Sequence, residues 1–419
     1  MKIYDTVNSE KYKNDRVILH SDCNCFYASV ECLLNPKIRN YPVAVSGDAE
    51  NRHGIILAKN EIAKKYGIKT GEAIWQAKAK CRDLIMVPAR LGLYKKYSDM
   101  VRRIYSDYTD RIEPFGLDES WLDVSENLTM SGLDIAKEIS CRIKAEIGIT
   151  VSIGVSFNKI FAKFGSDYKK PDATTVISRE NYQQIAWALP ASSLLFVGHS
   201  TKETLEKWGI RTIGELAAFD PAVLEKRLGK AGAMLSRYAR GEDNESVASI
   251  CEQKEMKSIG NSITFKRNLI TWEDIRIGTA GIADMVASRL RKHKVKCWTV
   301  QVIIKDVEFK SISRQKTLIT PTNLAKELEE TALELIRKHW KIGKPIRMLG
   351  IQTSSLIEEG QEHQQLNLFV EETAKHEKQQ KAETVLDEIR KKFGKGAVTK
   401  ANILHNDIGV GMENWQNKE

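Results

Sequence analysis

At 419 residues the chain is too long for one ordinary hydrophobic core, so two to four domains are expected. Its formal charge of +10 favours an anionic partner, nucleic acid before membrane, and 13 Lys and 7 Arg against 11 Asp and Glu put +9 of it in residues 251–355. Seven cysteines without framework spacing argue against a disulfide scaffold. Cys23, Cys25 and Cys32 lack the second pair or the His of a zinc site. With no signal-peptide core and no apolar run of ~18 residues, a soluble cytoplasmic protein is expected.

Residues 16–22, RVILHSD, read as a short buried strand ending on Asp22, and FYASVECLL reads as the helix after it. YPVAVSG and HGIILAKN are further strand candidates, and the helix EIAKKYG stops at Gly67, so residues 32–80 suggest a small subdomain. Helical spacing resumes from Lys95 to Tyr108. EPFGLDESWLDVS, residues 113–125, then sets two acids between apolar runs. In a straight strand Asp118 shares a face with Leu122 and Val124 while Glu119 joins Phe115, Leu117 and Trp121, which buries one acid. Either a turn over Leu117–Ser120 aims both outward, or a positively charged group sits against them. A helix over Leu133–Ile147 and the strand ITVSIGVS follow. Strands and helices mix without regular βαβα alternation, which favours α+β.

From 185 to 245 the pattern is helical, and in VGHSTKETLEKWGI and RLGKAGAMLSRYARG a glycine-bearing turn opens onto a helix. Backbone N–H groups at such helix starts can hold a phosphate, although a plain helical hairpin is the alternative. The first turn departs from the usual Gly-x-Gly, with Ser200 in place of the second glycine, so Gly229 to Gly232 is the stronger candidate. EDNESVASICEQKEMKS reads as a linker. WTVQVIIKD and IRMLGIQTSSL are strands, and segments 272–294 and 322–340 are helices, in a basic α+β unit suited to gripping a phosphate backbone. From about 357 the chain is polar except for QLNLF at 365–369 and a helix with Val385, Ile389 and Phe393 before Gly394. Three acids stand out: Asp22 at a strand end and the Asp118–Glu119 pair. On one sheet edge they repel unless divalent cations lie between them, and Mg²⁺ with phosphates suits such a site, as in phosphoryl transfer. Solvated turn acids are the other reading.

SDCNCFYASVE (21–31), EPFGLDESWLDVS and GVSFNKIFAKFGSDYKKP (154–171), in that order, resemble the Y-family translesion DNA polymerases, most closely the DNA polymerase IV type. The resemblance runs over residues 15–355. It implies a multidomain α+β right hand: palm from 1–31 and 81–184, fingers from 32–80, and a thumb with helix-hairpin-helix motifs from 185–245. A linker (246–256), a DNA-binding little finger (257–356) and a C-terminal tail (357–419) complete it. The implied activity is template-directed, low-fidelity extension of primers past damaged bases by a monomer, from deoxynucleoside triphosphates, with two Mg²⁺ ions per site or Mn²⁺ as a substitute. Asp22, Asp118 and Glu119 match the metal-binding acids, and the Cys23 carbonyl matches a backbone ligand. Tyr27, beside Phe26, falls at the steric gate under the incoming sugar; a core aromatic is the plainer reading of the residue itself. Lys64 and Lys170 match residues on the triphosphate, and Gly229, Gly232, Lys266, Arg267 and Arg314 fall in DNA-contacting segments. QLNLF resembles a sliding-clamp-binding pentapeptide in which Gln365 hydrogen-bonds and Leu366, Leu368 and Phe369 fill an apolar pocket.

This chain also departs from the family pattern. Glu61 stands where many relatives have a Tyr on the triphosphate, and Lys64 where Arg is common. Gly116 and Ser120 flank the acids where Ser and Ala are frequent, and Leu57 replaces a smaller residue over the nascent base pair. The competing reading that Glu61 supports is a catalytically weak or inactive clamp-tethered DNA-binding relative. A nucleotide cyclase leaves the hairpins and the basic unit without a purpose.

Overall fold

Residues 15–47, 54–252, 255–361 and 371–411, apart from 395 and 405, are described by a computed structural model of the chain. They fall into two compact units, one drawn from residues 1–45, 57–70 and 76–253, the other from 254–419 with the short stretches 46–56 and 71–75.

An apolar run organises the first unit. Strand β1 (Ile18–Cys23) is buried at every position, as a central strand covered on both faces must be. After it come α1 (Phe26–Leu34), β2 (Val43–Ser46), β3 (Ile56–Lys59), α2 (Glu61–Lys65), α3 (Ile74–Lys80) and β4 (Ile85–Pro88). β2 lies between β3 and β4 in a three-stranded sheet, whose third strand comes from beyond residue 80. Asn60 caps α2 by accepting from the Ala63 N–H, and also accepts from the Val43 N–H, which ties the helix to that sheet. Then follow α4 (Leu91–Ser106), β5 (Ile112–Pro114), β6 (Glu119–Asp123), α5 (Gly132–Arg142, prolonged by a π turn to Ile147), β7 (Val151–Ser156), α6 (Lys159–Tyr168) and β8 (Thr174–Ile177). The main sheet has the order β5-β6-β1-β7-β8.

Its two faces carry different layers. Leu19, Leu122 and Ile153 pack with Ile104 of α4 and with Ile135 and Ile139 of α5. Ile18 and Trp121 pack with Ala162 of α6 on the other side. A Cβ on Gly154 would lie 1.9 Å from the Ala162 carbonyl oxygen and 2.5 Å from the Ser166 nitrogen, so only glycine lets α6 lie this close to β7. Asn158 starts α6 by accepting from the Phe161 N–H at 2.9 Å.

Helices α7 (Tyr182–Ala186), α8 (His199–Lys207), α9 (Ile213–Ala218), α10 (Pro221–Leu228) and α11 (Lys230–Ala239) surround Leu205, Ile213, Leu216, Leu224 and Leu235. Together with the sheets they make this unit α+β, as the sequence predicts.

The second unit contains β9 (Ser258–Leu269), α12 (Trp272–Lys292), β10 (Val295–Asp306), β11 (Ser311–Thr322), α13 (Ala325–His339), β12 (Ile346–Glu358) and α14 (Glu371–Phe393). The four strands form an antiparallel sheet in the order β11-β10-β12-β9. Ile263, Val300, Val302, Leu349 and Ile351 pack under Ile282 and Val286 of α12 and Leu328 and Leu335 of α13. Alternation then assigns Ser262, Thr264, Thr299, Gln301, Ile303, Lys305, Ser313, Gln315, Gln352 and Ser354 to the opposite face. That face is polar, and Lys305 is the one charge among these ten side chains.

Residues beyond 357, expected as a polar tail, return to this unit. Arg291 pairs with Glu383 and, at 2.7 Å, with Asp387, while Arg390 meets Asp284 at 2.9 Å. Ile403, Ile408 and Val410 join the core, and the Ile408 carbonyl accepts the Lys266 N–H at 3.0 Å along the edge strand β9. Among the described residues, no helix is long and apolar enough to cross a membrane.

Candidate active site

The end of β1 lies against the start of β6, and their register sets Asp22 directly opposite Glu119. Directly paired residues share a face, and here it is the face covered by α6. Between β5 and β6 the chain bends over residues 115–118, two positions earlier than the sequence suggests, because Gly116 takes φ +110°. The Phe115 N–H donates to the Glu119 carbonyl and the Cys23 N–H to the Asp118 carbonyl, both at 2.9 Å. Those bonds hold Asp118 beside Cys23 at the sheet edge.

The acids are not aimed at solvent; of the two resolutions open from the sequence, the structure shows positive charge set against them. Asp22 is 5% exposed, and its carboxylate takes the Lys170 ammonium at 2.5 Å and that of Lys163 at 3.4 Å. Lys163 also lies 2.9 Å from Glu119 and 3.3 Å from Asp167. Burial raises the Asp22 carboxyl above its ordinary range in spite of Lys170, and the Glu119 charge adds to the rise. Asp118 is raised by burial and then by the charges of Asp22 and Glu119. Burial works against the Lys163 ammonium, yet the surrounding carboxylates hold its proton more tightly than usual. His20, two residues before Asp22, is fully buried and is pushed down to about 3 by burial and by Lys163. A neutral imidazole therefore sits with Nε2 3.4 Å from Glu119 and Nδ1 2.8 Å from the Ser166 hydroxyl.

Among the described residues, no three His, Cys, Asp or Glu side chains close on a common point tightly enough to hold an ion. The Asp22 and Glu119 carboxylates are turned onto lysines instead. The donor set itself suits a hard divalent cation: three carboxylates on adjoining backbone positions and the Cys23 carbonyl, all oxygen. The carboxyls are raised first by burial and then by one another's charge, so ionising them is costly there.

Tyr27 is stacked on Tyr94, with ring centroids 4.1 Å apart and planes 12° from parallel. Burial raises its hydroxyl and the Asp118 charge raises it further, so the ring borders the acid cluster. Phe26 is 3% exposed and packs in the core, which leaves its side chain unavailable to a nucleotide. Lys64 is bound to Glu61 at 2.7 Å, and Glu61 also accepts from the Cys25 thiol at 3.0 Å. The acid that departs from the family pattern thus neutralises the lysine beside it. Leu57 is half-buried on β3.

The expected DNA contacts are redistributed. Gly232 serves close helix packing, since a Cβ there would lie 2.1 Å from the Leu224 carbonyl, and Gly229 takes φ +62° between α10 and α11. Arg267 is engaged by acids, at 2.7 Å from both Asp274 and Asp407, so it fastens the C-terminal return to β9. Arg314 pairs with Val302 and so lies on the helix-covered face. Lys266 is exposed, and its side chain runs past Gly409. Gln365, Leu366, Leu368 and Phe369 lie outside the described residues.

The residues that sequence reasoning misses are Lys163, Asp167, His20 and Tyr94. Lys163, Asp167 and Lys170 recur at helical spacing, which is a usable signal. Nothing local links Tyr94 to Tyr27, 67 positions earlier.

Residues 21–167 match the impB/mucB/samB family, residues 256–368 its C-terminal domain, and residues 193–243 a thumb domain described for DNA polymerase-iota. A DNA polymerase IV of Acetivibrio thermocellus is 46% identical over 397 residues, covering 94% of this chain and 99% of the relative. DNA polymerase IV 1 of Bacillus subtilis is 35% identical, over 93% of each chain. Among solved structures, a Y-family DNA polymerase chimera superposes with a TM-score of 0.72 at 25% identity, covering 82% of this chain and 99% of its own.

Proposed function

Because this chain belongs to the impB/mucB/samB family, the Y-family DNA polymerases, we propose that its acid cluster is the nucleotidyl-transfer site of a DNA polymerase IV. The protein is a DNA-directed DNA polymerase of translesion synthesis and depends on a divalent metal. In our assignment Asp22, Asp118, Glu119 and the Cys23 carbonyl hold two Mg²⁺ ions, with Mn²⁺ able to substitute. Such ions, when bound, supply Lewis-acid activation of the primer hydroxyl and charge neutralisation at the leaving pyrophosphate. The observation that carries the assignment is the register that sets Asp22 opposite Glu119 at the strand ends, with Asp118 backbone-bonded to Cys23.

The other roles follow from the neighbours. Lys163 and Lys170 release the carboxylates and turn to the triphosphate, whose opposite charge they match. Neutral His20, bonded through Nδ1 to the Ser166 hydroxyl, fills the space behind the acids without adding a charge. Tyr27 lies under the sugar and excludes a 2′-hydroxyl. The sheets around the acids correspond to palm and fingers, α7–α11 to the thumb, and the unit from 257 to 356 to the little finger. Duplex DNA is gripped by the helix-free face of that last unit, where hydroxyls, amides and Lys305 reach phosphate oxygens. A sliding clamp binds Gln365, Leu366, Leu368 and Phe369, and the enzyme works as a cytoplasmic monomer.

Primer extension on undamaged and abasic templates with Glu119→Ala tests the reading. Extension should be lost while primer–template binding persists. Retained turnover would remove Glu119 from the site.

A further inference from the structure

A ring that excludes a hydroxyl by contact discriminates only if it cannot retreat, so whatever lies behind it sets the selectivity. Tyr27 stands on the first turn of α1, and behind it lies Tyr94, fully buried on the first turn of α4 and stacked on it at 4.1 Å. The Tyr94 hydroxyl donates to Glu31 Oε1 at 2.7 Å. Glu31 is 3% exposed and sits four residues after Tyr27, on the same face of α1. Arg90 closes the set: its Nε donates to Glu31 Oε1 at 3.0 Å, and its second nitrogen pairs with Oε2. One turn of α1 therefore grips Tyr94 twice, by a stacked ring and by a buried carboxylate. Burial, and the bond to Glu31, raise the Tyr94 hydroxyl, which keeps it protonated as the donor.

We propose that Tyr94, locked by Glu31 and Arg90, is the positioning residue that fixes the Tyr27 ring and so sets discrimination between deoxyribonucleotides and ribonucleotides. The proposal rests on the reading of Tyr27 as the sugar gate. Tyr94 touches no substrate; its work is to deny the gate a path backward. Free to shift by an ångström, Tyr27 makes room for the extra hydroxyl while still covering the deoxy sugar.

The test is the ratio of kcat/KM for a deoxyribonucleotide to that for its ribonucleotide on one primer–template, with thermal unfolding recorded for each variant. Tyr27→Ala reads the gate itself, while Tyr94→Leu, Tyr94→Phe and Glu31→Gln read the support. Tyr94→Leu, which removes the stack and the hydrogen bond, should lower the ratio by about tenfold or more. Tyr94→Phe keeps the ring and drops the bond, so the fall should be about threefold. Glu31→Gln should behave like Tyr94→Phe. If Tyr27→Ala leaves the ratio unchanged, the gate reading itself fails. If Tyr27→Ala relaxes the ratio but Tyr94→Leu slows both sugars equally, Tyr94 is core packing and the proposal is overturned. Where Tyr94→Leu does not fold, folded Tyr94→Phe decides: a lowered ratio supports the proposal and an unchanged one overturns it.

Discussion

Replacing Asp118 by Asn should abolish extension and at the same time make the fold more stable. The Asp118 carboxyl is raised by burial and by Asp22 and Glu119, so the folded chain holds this proton more tightly than the unfolded chain and ionisation costs stability. That penalty is absent below the ordinary value of 3.8 and complete once the pH has passed the raised value. Two unit charges 4 Å apart repel by about 4 kcal/mol at an effective dielectric near 20, and proportionately less at longer range. Attraction to Lys163 takes back part of this, which leaves a net gain of about 1 kcal/mol for Asn. For a unit of this size that is a rise in Tm of about 2–4 °C. Thermal unfolding at pH 7 in chelator should show the rise, and the same scan near pH 3 should show none. Added Mn²⁺ should narrow the gap by stabilising the wild type through mass action. Primer extension should fall by ~10³-fold or more, the cost of losing several kcal/mol of charge stabilisation. An Asn variant less stable than wild type at pH 7, or a gap that persists at pH 3, would refute the argument that these acids crowd one another.

Glu61→Gln should lower the KM for deoxynucleotides by about threefold with kcat nearly unchanged, because half-exposed Lys64 is released for the triphosphate from an ion pair worth under ~1 kcal/mol; an unchanged KM would place Lys64 away from the nucleotide. Arg267→Ala should destabilise the second unit by about 1–2 kcal/mol, since Asp274 and Asp407 lose their shared partner, and unfolding scans beside DNA titrations would reveal whether it acts as a contact instead. Lys305→Ala should reduce the slope of log affinity against log salt by about one, whereas Gln301→Ala should weaken duplex binding at a constant slope, and equal slopes in all three proteins would exclude this face. Changing Leu368 and Phe369 together to Ala should leave clamp-free extension intact and remove stimulation by clamp; loss of clamp-free activity would mean the segment packs on its own polymerase.

What was legible in the sequence was what carried a period or a string. β1, α1 and β7 show as apolar runs, and the three acids show as strand-end and turn residues. β9 and β11 escaped because SIGNSITFKRNL and SISRQKTLITPT pair polar faces with few apolar positions, as strands of a half-open sheet do. Ile403, Ile408 and Val410 recur at irregular intervals and betray no element, although all three are buried. Arg267 looked like a DNA contact because one of its acids stands 140 positions away. Lys163 went unremarked because its role depends on α6 approaching the acids, which Gly154 permits. In each case a contact between distant segments decided the role.

The buried C-terminal return has a consequence for the birth of the protein. A ribosome delivers the first unit complete by about residue 250 and can let it fold while synthesis continues, since domains fold as units from the N-terminus onward. The second unit has no such freedom. Its core lacks Ile403, Ile408 and Val410 until the last of the described residues has left the exit tunnel, and the edge of β9 waits as long for the Ile408 carbonyl. A nascent chain thus owns its catalytic acids well before the module assigned to the duplex is finished, and a message truncated ahead of Ile403 yields a polymerase body joined to an incomplete grip.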